Sequence, residues 1–310
     1  MVRPATLRAA LIAALIVGAV ARAGDEPAAP QEPAQPPAAH RARVRWERTT
    51  RHVLQHRLSP DQPRPTEQRR EVSYEAVYVR ELVLGRGERV QTAELRFERW
   101  RRREGKRLDQ SLEGRTVRFA PARPGQPLQA KLVEAKDAPP LSQAAQRYLE
   151  DQAHELSAPL AELVLPAARG TPPVRPLDAP WRPDPGPLCA RLAPDAKLEA
   201  QRSRVAGKVQ ERAADAPWKL EVRGELQLTT IPGTTSRVRD GGAWRLSLDL
   251  SWRPADPPTS ASRHHTASFE ATAEDMRPDG SPIQLRVKAR EEETLTVEPL
   301  PPADPPSPPR

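Results

Sequence analysis

Residues 244–252 read Trp-Arg-Leu-Ser-Leu-Asp-Leu-Ser-Trp, and this stretch decides the fold class. Apolar and polar residues alternate along it without interruption, which is the period of a β-strand with one buried and one solvated face. Such one-sided alternation is typical of antiparallel sheets, because parallel strands that are covered on both faces show continuous apolar runs. The stretch therefore predicts one strand of an antiparallel sheet.

The same period recurs elsewhere in the second half of the chain. Residues 218–228 and 283–289 repeat it clearly, and residues 205–209 repeat it more weakly. Gly207 and Gly224 lie inside these stretches, so we expect them to mark bends or bulges, as glycines within strands commonly do. The second half is therefore predicted to be a group of consecutive antiparallel strands.

The first half has the same pattern with more interruptions. At least five candidate strands centre on residues 44–46, 72–78, 95–97, 108–112 and 117–119. Glycine-containing turns separate several of them, which is the signature of successive hairpins. We expect these strands to form a meander.

One segment departs from the period of two. Five residues in it recur at a spacing of three to four: Leu141, Ala145, Tyr148, Gln152 and Leu156. Ser142 suits a helix N-cap and Pro159 ends the pattern, so we predict a helix near residues 142–158. The fold is then mainly β, a β-rich α+β class. Its two groups of antiparallel strands form one large curved sheet or two packed lobes, with a single central helix.

The first residues have the order of a secretory signal peptide. Arg3 and Arg8 precede an apolar run that closes on Ala21-Arg22-Ala23, which is a small-x-small cleavage site. The run is shorter than the roughly 20 residues that cross a bilayer, and no later segment approaches that length. Position 24 is Gly rather than the Cys of a lipoprotein. We expect an exported protein, periplasmic or extracellular, without a transmembrane segment after signal removal.

Proline-rich stretches divide the rest of the chain. The expected segments are a signal peptide (1–23), a disordered Pro/Ala-rich linker (24–40), an N-terminal β-meander with the helix (41–165), a Pro-rich connection (166–187), a C-terminal antiparallel β region (188–298) and a disordered Pro-rich tail (299–310). The chain has a single cysteine, Cys189, so no intrachain disulfide can form. We interpret this cysteine as a small buried hydrophobe.

The charge balance is only modestly basic. The formal net charge is +8, and removal of Arg3, Arg8 and Arg22 with the signal leaves +5. Only 7 of the 49 basic residues are lysine, and such an arginine excess is typical of a GC-rich genome. Nucleic acid is therefore not favoured as a partner.

No motif for catalysis, metal binding or cofactor binding is visible. His154-Glu155 begins like a zinc-protease helix, but position 158, where the second histidine would stand, is Ala. The His52/His56 and His264/His265 pairs have no further ligand at the right spacing. We therefore expect no metal and no cofactor, and an enzyme is not favoured. A hydrolase whose paired carboxylates form no recognisable motif stays as an alternative.

Two groups of residues are candidates for binding. The first is a set of cations around Trp100 that suits an anionic envelope surface: Arg99, Arg101, Arg102, Arg103, Lys106 and Arg107. The second is the apolar face that carries Trp244 and Trp252, which suits an apolar small molecule or lipid. Our leading hypothesis is a non-catalytic exported β protein that binds or carries an apolar ligand or an envelope partner. The alternative is a structural or anionic-surface-binding envelope protein.

The mature protein is predicted to begin at Gly24, because Ala21 and Ala23 supply the small residues that a signal peptidase requires. N-terminal sequencing of secreted material tests this. A retained Met1 would contradict the expectation of export.

Overall fold

The computed structural model describes residues 39–57, 66–85, 89–123, 125–133, 139–165, 180–193, 196–211, 216–231, 236–253, 256–276 and 282–301. The predicted signal peptide and most of the two predicted tails lie outside these ranges. Eleven described strands form one antiparallel sheet. They are β1 (Ala39–Arg57), β2 (Thr66–Leu84), β3 (Val90–Glu104), β4 (Arg107–Asp109), β5 (Thr116–Pro121), β6 (Leu128–Leu132), β7 (Arg204–Glu211), β8 (Trp218–Gln227), β9 (Arg237–Trp252), β10 (Ser262–Met276) and β11 (Pro282–Pro299).

The sheet consists of two meanders joined at its centre. Its order is β6-β5-β3-β2-β1-β11-β10-β9-β8-β7, and β4 pairs with the end of β3. The first and last strands pair along almost their whole length, from Ala42 opposite Pro299 to Arg57 opposite Gln284. The antiparallel, mainly β fold class is thereby confirmed, and of the two predicted arrangements the structure has the single large sheet.

Three α-helices and two single-turn 3-10 helices (Ala200–Arg202 and Pro258–Ser260) are described, and the predicted central helix is confirmed. It is α1 (Gln143–Ser157), and Ser142 caps it by accepting a hydrogen bond from the amide of Ala145 at 3.0 Å. Two short helices follow that the sequence did not predict, α2 (Leu160–Val164) and α3 (Pro185–Leu192). Helix α3 begins inside the stretch predicted as a Pro-rich connection, because proline is well tolerated in the first turn of a helix.

Two local expectations differ from the structure. The strand expected at residues 108–112 ends at Asp109, because the Asp109 side chain accepts a hydrogen bond from the amide of Ser111 at 3.0 Å and turns the chain. Gly207 and Gly224 mark no bulge, since the shift of the β7–β8 register comes after Val209 and the β8–β9 register is continuous through Gly224. Gly207 instead admits Trp181, whose ring would lie 2.3 Å from a Cβ at this position.

One face of the sheet, which we call the inner face, carries the core. Residues directly opposite each other on paired strands share a face, and one such row runs through Trp46, Leu295, Arg263, Leu250 and Leu220. In the first half α1 packs on this face, and in the second half α2 and α3 do so. The core is therefore two apolar clusters on one face, with polar residues between them.

The opposite face, the outer face, is covered by charged and hydroxyl side chains. Many of them form exposed cross-strand ion pairs, such as Arg99 with Glu75 at 2.7 Å and Arg245 with Glu225 at 3.2 Å. Pairs of this kind contribute little to stability in water. No helix among the described residues is long and apolar enough to cross a membrane.

Truncation of Trp244 to Ala is expected to lower the free energy of unfolding by roughly 3 to 5 kcal/mol, because a large buried side chain leaves a cavity that its neighbours fill only partly. Trp244 is 9% exposed and contacts the ring of Phe269. Urea unfolding measures the loss. The matched control is Leu108→Ala at a side chain that is 50% exposed, for which we expect a change within about 0.5 kcal/mol. Equal effects of the two substitutions would contradict a closed core at Trp244.

Candidate functional site

Charged side chains gather on the inner face where the two meanders join. We call this group the seam cluster, and its members come from three strands and two helices: Arg48, Glu155, Arg191, Arg263, Glu291 and Glu293. The strand register brings the strand residues together, because Arg48 lies opposite Glu293 and Glu293 lies opposite His265. The cluster therefore occupies the gap between the two apolar clusters of the core.

Arg263 is the centre of this cluster. Its Nε and Nη2 donate to Oε1 of Glu293 at 3.0 and 2.8 Å, and its Nη1 donates to Glu155 on α1. Glu155 accepts a further hydrogen bond from Arg191 on α3 at 2.9 Å. Arg48 donates to Glu291 at 2.9 Å. The ion pairs thus connect α1, which packs on the first meander, to β10 and α3 in the second half.

The arginines hold the glutamates in their ionised form. Burial alone would raise the pKa of Glu293, but Arg263 and Arg48 outweigh burial and hold this pKa at about 2. The pKa of Glu155 is likewise lowered, because Arg263 and Arg191 outweigh the effect of burial. Burial lowers the pKa of His265, which is only 2% exposed. Three arginines and three glutamates thus lie together on the inner face, and burial raises the pKa of Asp151, which lines the cavity among them.

A small cavity lies within the seam cluster. Its volume is about 70 Å³, and its lining also includes Trp46, Tyr148, Asp151, Gln152, Leu160, Leu192 and His265. Such a space suits a few water molecules, since one water needs about 10 to 15 Å³ on this measure. Proton transfer at neutral pH requires a group whose pKa lies near the working pH, and the pKa of Glu293 lies far below it. Glu155 and Glu293, whose carboxylates are paired with arginines, are thereby favoured for a structural role over acid–base catalysis.

A larger groove lies on the other flank of α1, against the edge strand β6. Its volume is about 480 Å³. The apolar lining comes from β6, from the residue before the α1 cap and from α1: Leu128, Ala130, Leu132, Leu141, Leu149 and Ala153. The polar residues at its border are Gln129, Gln146, Glu150, His154 and Ser157. Apolar walls with a few polar groups are typical of ligand sites of 300 to 1,000 Å³.

Trp244 and Trp252, the predicted ligand-facing residues, lie in the core of the second half. Their exposed fractions are 9% and 6%, and residues of α2 and α3 belong to the same apolar cluster. Trp252 also donates from Nε1 to the backbone oxygen of Asp256 at 3.0 Å. This part of the apolar face is covered, and the open apolar space lies instead beside α1 and β6.

The structure divides the six predicted surface cations into two groups. Three of them have glutamate partners: Arg99 with Glu75, Arg101 with Glu113 and Arg102 with Glu104. The side chains of Arg103, Lys106 and Arg107 are exposed and form no ion pair or hydrogen bond within the described residues. Trp100, around which the six were grouped, is fully buried in the first apolar cluster.

The remaining candidate residues are dispersed. His264 and His265 point to opposite sides of β10, and His264 Nδ1 lies 3.1 Å from the hydroxyl of Thr294. Across the described ranges, no three His, Cys, Asp or Glu side chains lie close enough together to hold a metal ion. Cys189 is 3% exposed, and burial raises the pKa of its thiol.

Comparison with known proteins adds little to this geometry. No protein-family model matches the sequence, and no curated protein matches it significantly. A solved structure titled "Lipid-protein interactions in lipovitellin" is similar to 87% of this chain with 12% sequence identity and a TM-score of 0.38. The match covers 26% of that lipovitellin chain. A likeness this weak carries no information about the function of this protein.

The substitution Glu293→Gln is expected to lower the free energy of unfolding by roughly 3 to 5 kcal/mol at pH 7, because it leaves Arg263 without one of its buried partners. A depressed pKa stabilises the fold above the ordinary value of 4.5, and this stabilisation is lost as the pH falls towards 2. The difference in the free energy of unfolding between parent and variant should therefore become smaller as the pH falls from 4.5 to 2. Urea unfolding at a series of pH values measures it.

Glu270→Gln is the matched control for this experiment. Glu270 pairs with Arg286 on the outer face, where both side chains are about half exposed, so its loss should cost less than about 1 kcal/mol. If Glu293→Gln were as mild as this control, or its effect were the same at pH 7 and pH 2, the seam cluster would not carry the stability assigned to it.

Proposed function

We propose that this protein is an exported binding protein that holds an apolar ligand, such as an acyl chain, in the groove between α1 and β6. The observation that carries the proposal is the groove itself, about 480 Å³ of space with six apolar side chains along its walls. Burial of apolar surface drives the entry of such a ligand, at about 25 cal/mol per Å² removed from water.

The position of the groove supports exchange of a ligand with the surroundings. It opens beside β6, the last strand at one side of the sheet, so a ligand can enter without separation of paired strands. Gln146, Glu150 and His154 on α1 give the border a polar side. An apolar chain with a polar end fits this distribution better than a wholly apolar molecule does, since each part finds a matching environment.

Export forms a separate part of the proposal. It rests on the signal-like sequence of residues 1–23 and on the absence of a cysteine at position 24. An apolar ligand such as a lipid is abundant in a cell envelope, which agrees with a carrier there. The groove and the export signal support the proposal independently of each other.

The groove proposal predicts that filling the groove abolishes binding. In Ala130→Trp, the added indole ring takes the space between β6 and α1, so binding of cis-parinaric acid, a fluorescent acyl chain, should weaken tenfold or more, equivalent to about 1.4 kcal/mol. Titration followed by fluorescence measures the dissociation constant. Ala130 is exposed, so the substitution should leave the fold intact.

Lys131→Trp is the matched control. Lys131 is the next residue of β6, is exposed and does not line the groove, so the same ring added there should leave binding unchanged. Equal binding by the two variants, or no binding by the parent, would remove the proposal. If the parent binds the acyl chain and only Ala130→Trp loses binding, mass spectrometry of an extract of the purified native protein identifies the natural ligand.

A further inference from the structure

We infer that the hairpin formed by the end of β3 and β4, residues 101–109, docks the protein onto an anionic lipid bilayer. This surface lies outside the groove, and the inference does not require a ligand there. We call it the basic hairpin. The inference rests on two observations, three cations without partners and an exposed leucine. Both lie on this one short hairpin, at the end of the sheet where α1 begins.

The free cations are the first observation. The side chains of Arg103, Lys106 and Arg107 are exposed, and none of these side chains forms an ion pair or hydrogen bond within the described part of the chain. Other outward cations of β3 are neutralised, as Arg99 is by Glu75 and Arg101, at the start of the hairpin, is by Glu113. The charge of the hairpin is therefore available to a partner, and an anionic surface attracts each lysine or arginine that comes close to it.

The exposed leucine is the second observation. Leu108 lies directly opposite Arg103 and is 50% exposed, which makes it one of two large apolar side chains exposed among the described residues. The other is Val133, which follows β6 and donates from its amide to the backbone oxygen of Thr116. An apolar side chain beside cations is typical of a segment that enters the headgroup layer of a bilayer. A soluble polyanion would provide no environment for Leu108.

The hairpin is held in place by the start of α1. The side chain of Asp109 accepts a hydrogen bond from the hydroxyl of Ser142, which also caps α1, and Ser111 contacts the same hydroxyl at 3.2 Å. Gly105 allows the tight turn at the tip, since its φ of 56° lies in the left-handed region. Leu141, which precedes the cap, lines the groove. A bilayer bound at the hairpin would therefore lie near one end of the groove.

Vesicle sedimentation tests the inference. The parent protein should bind vesicles that contain phosphatidylglycerol and should not bind vesicles of phosphatidylcholine alone. The triple variant Arg103→Gln, Lys106→Gln and Arg107→Gln should bind the anionic vesicles about 100-fold more weakly, the effect expected for three cations near an anionic surface. Binding by the parent should also fall at 1 M salt, where the screening length is about 3 Å.

A second triple variant controls for net charge. Its substitutions are Arg182→Gln, Lys197→Gln and Arg204→Gln, at exposed cations of the second half that form no ion pair among the described residues. It removes the same charge and should keep vesicle binding within a few-fold of the parent. If the two triple variants lost binding equally, attraction would depend on net charge alone and the hairpin would have no special role.

Leu108→Ser separates a membrane from other polyanions. Loss of the leucine should weaken binding to anionic vesicles about tenfold, because its side chain can no longer be buried in the bilayer. Binding to heparin should not change. If vesicle binding were insensitive to Leu108 while heparin bound as tightly as the vesicles, the hairpin would be a site for a soluble polyanion and the inference would be overturned.

Discussion

The pairing of β1 with β11 is the constraint on which the rest of the structure depends. Each meander consists of hairpins between strands that are close in sequence, and no such hairpin joins one meander to the other. The ladder between β1 and β11, from Ala42 to Arg57 on β1, makes them one sheet. These two strands are the most distant in sequence, so the chain must close its longest loop to bring them together. Once they pair, both apolar clusters come to share the inner face, and the helices cover them from the same side.

The seam cluster follows from this arrangement. Helices α1 and α3 pack in different apolar clusters. A space remains on the inner face between these clusters, over the middle of the sheet. Long arginine and glutamate side chains fill that space and connect both helices to β10 and β11 through Arg263. Such buried charges are costly to place and costly to break, so their principal effect is to define one arrangement of the two halves.

Much of the fold was predictable because alternation and helical spacing report burial directly. Stretches such as 244–252 and the helix near 142–158 have an uninterrupted period, and the structure confirms both. The arrangement of the meanders as one sheet was not predictable, since the β1–β11 pairing leaves no local signal. The seam cluster was not predicted, because three consecutive glutamates at residues 291–293 interrupt the alternation of apolar and polar residues. Glu291 and Glu293 nevertheless follow Val287 and Ala289 at a spacing of two, so they lie on the same face of β11. Charged residues at positions where the alternation expects apolar ones were the signal that could have revealed the cluster. Strand β6 was missed although Leu128, Ala130 and Leu132 alternate, because three residues are too short a pattern.

The side-by-side position of the first and last strands also bears on how the chain can be connected. The start of β1 and the end of β11 are hydrogen-bonded neighbours, and the amide of Leu300 donates to the oxygen of Arg41 at 2.9 Å. The order of strands in space is thus that of a circular sequence opened at the centre of the sheet. A permuted chain with these two ends joined would keep every strand pair, and the central ladder, which now joins the two strands most distant in sequence, would become a hairpin between neighbours.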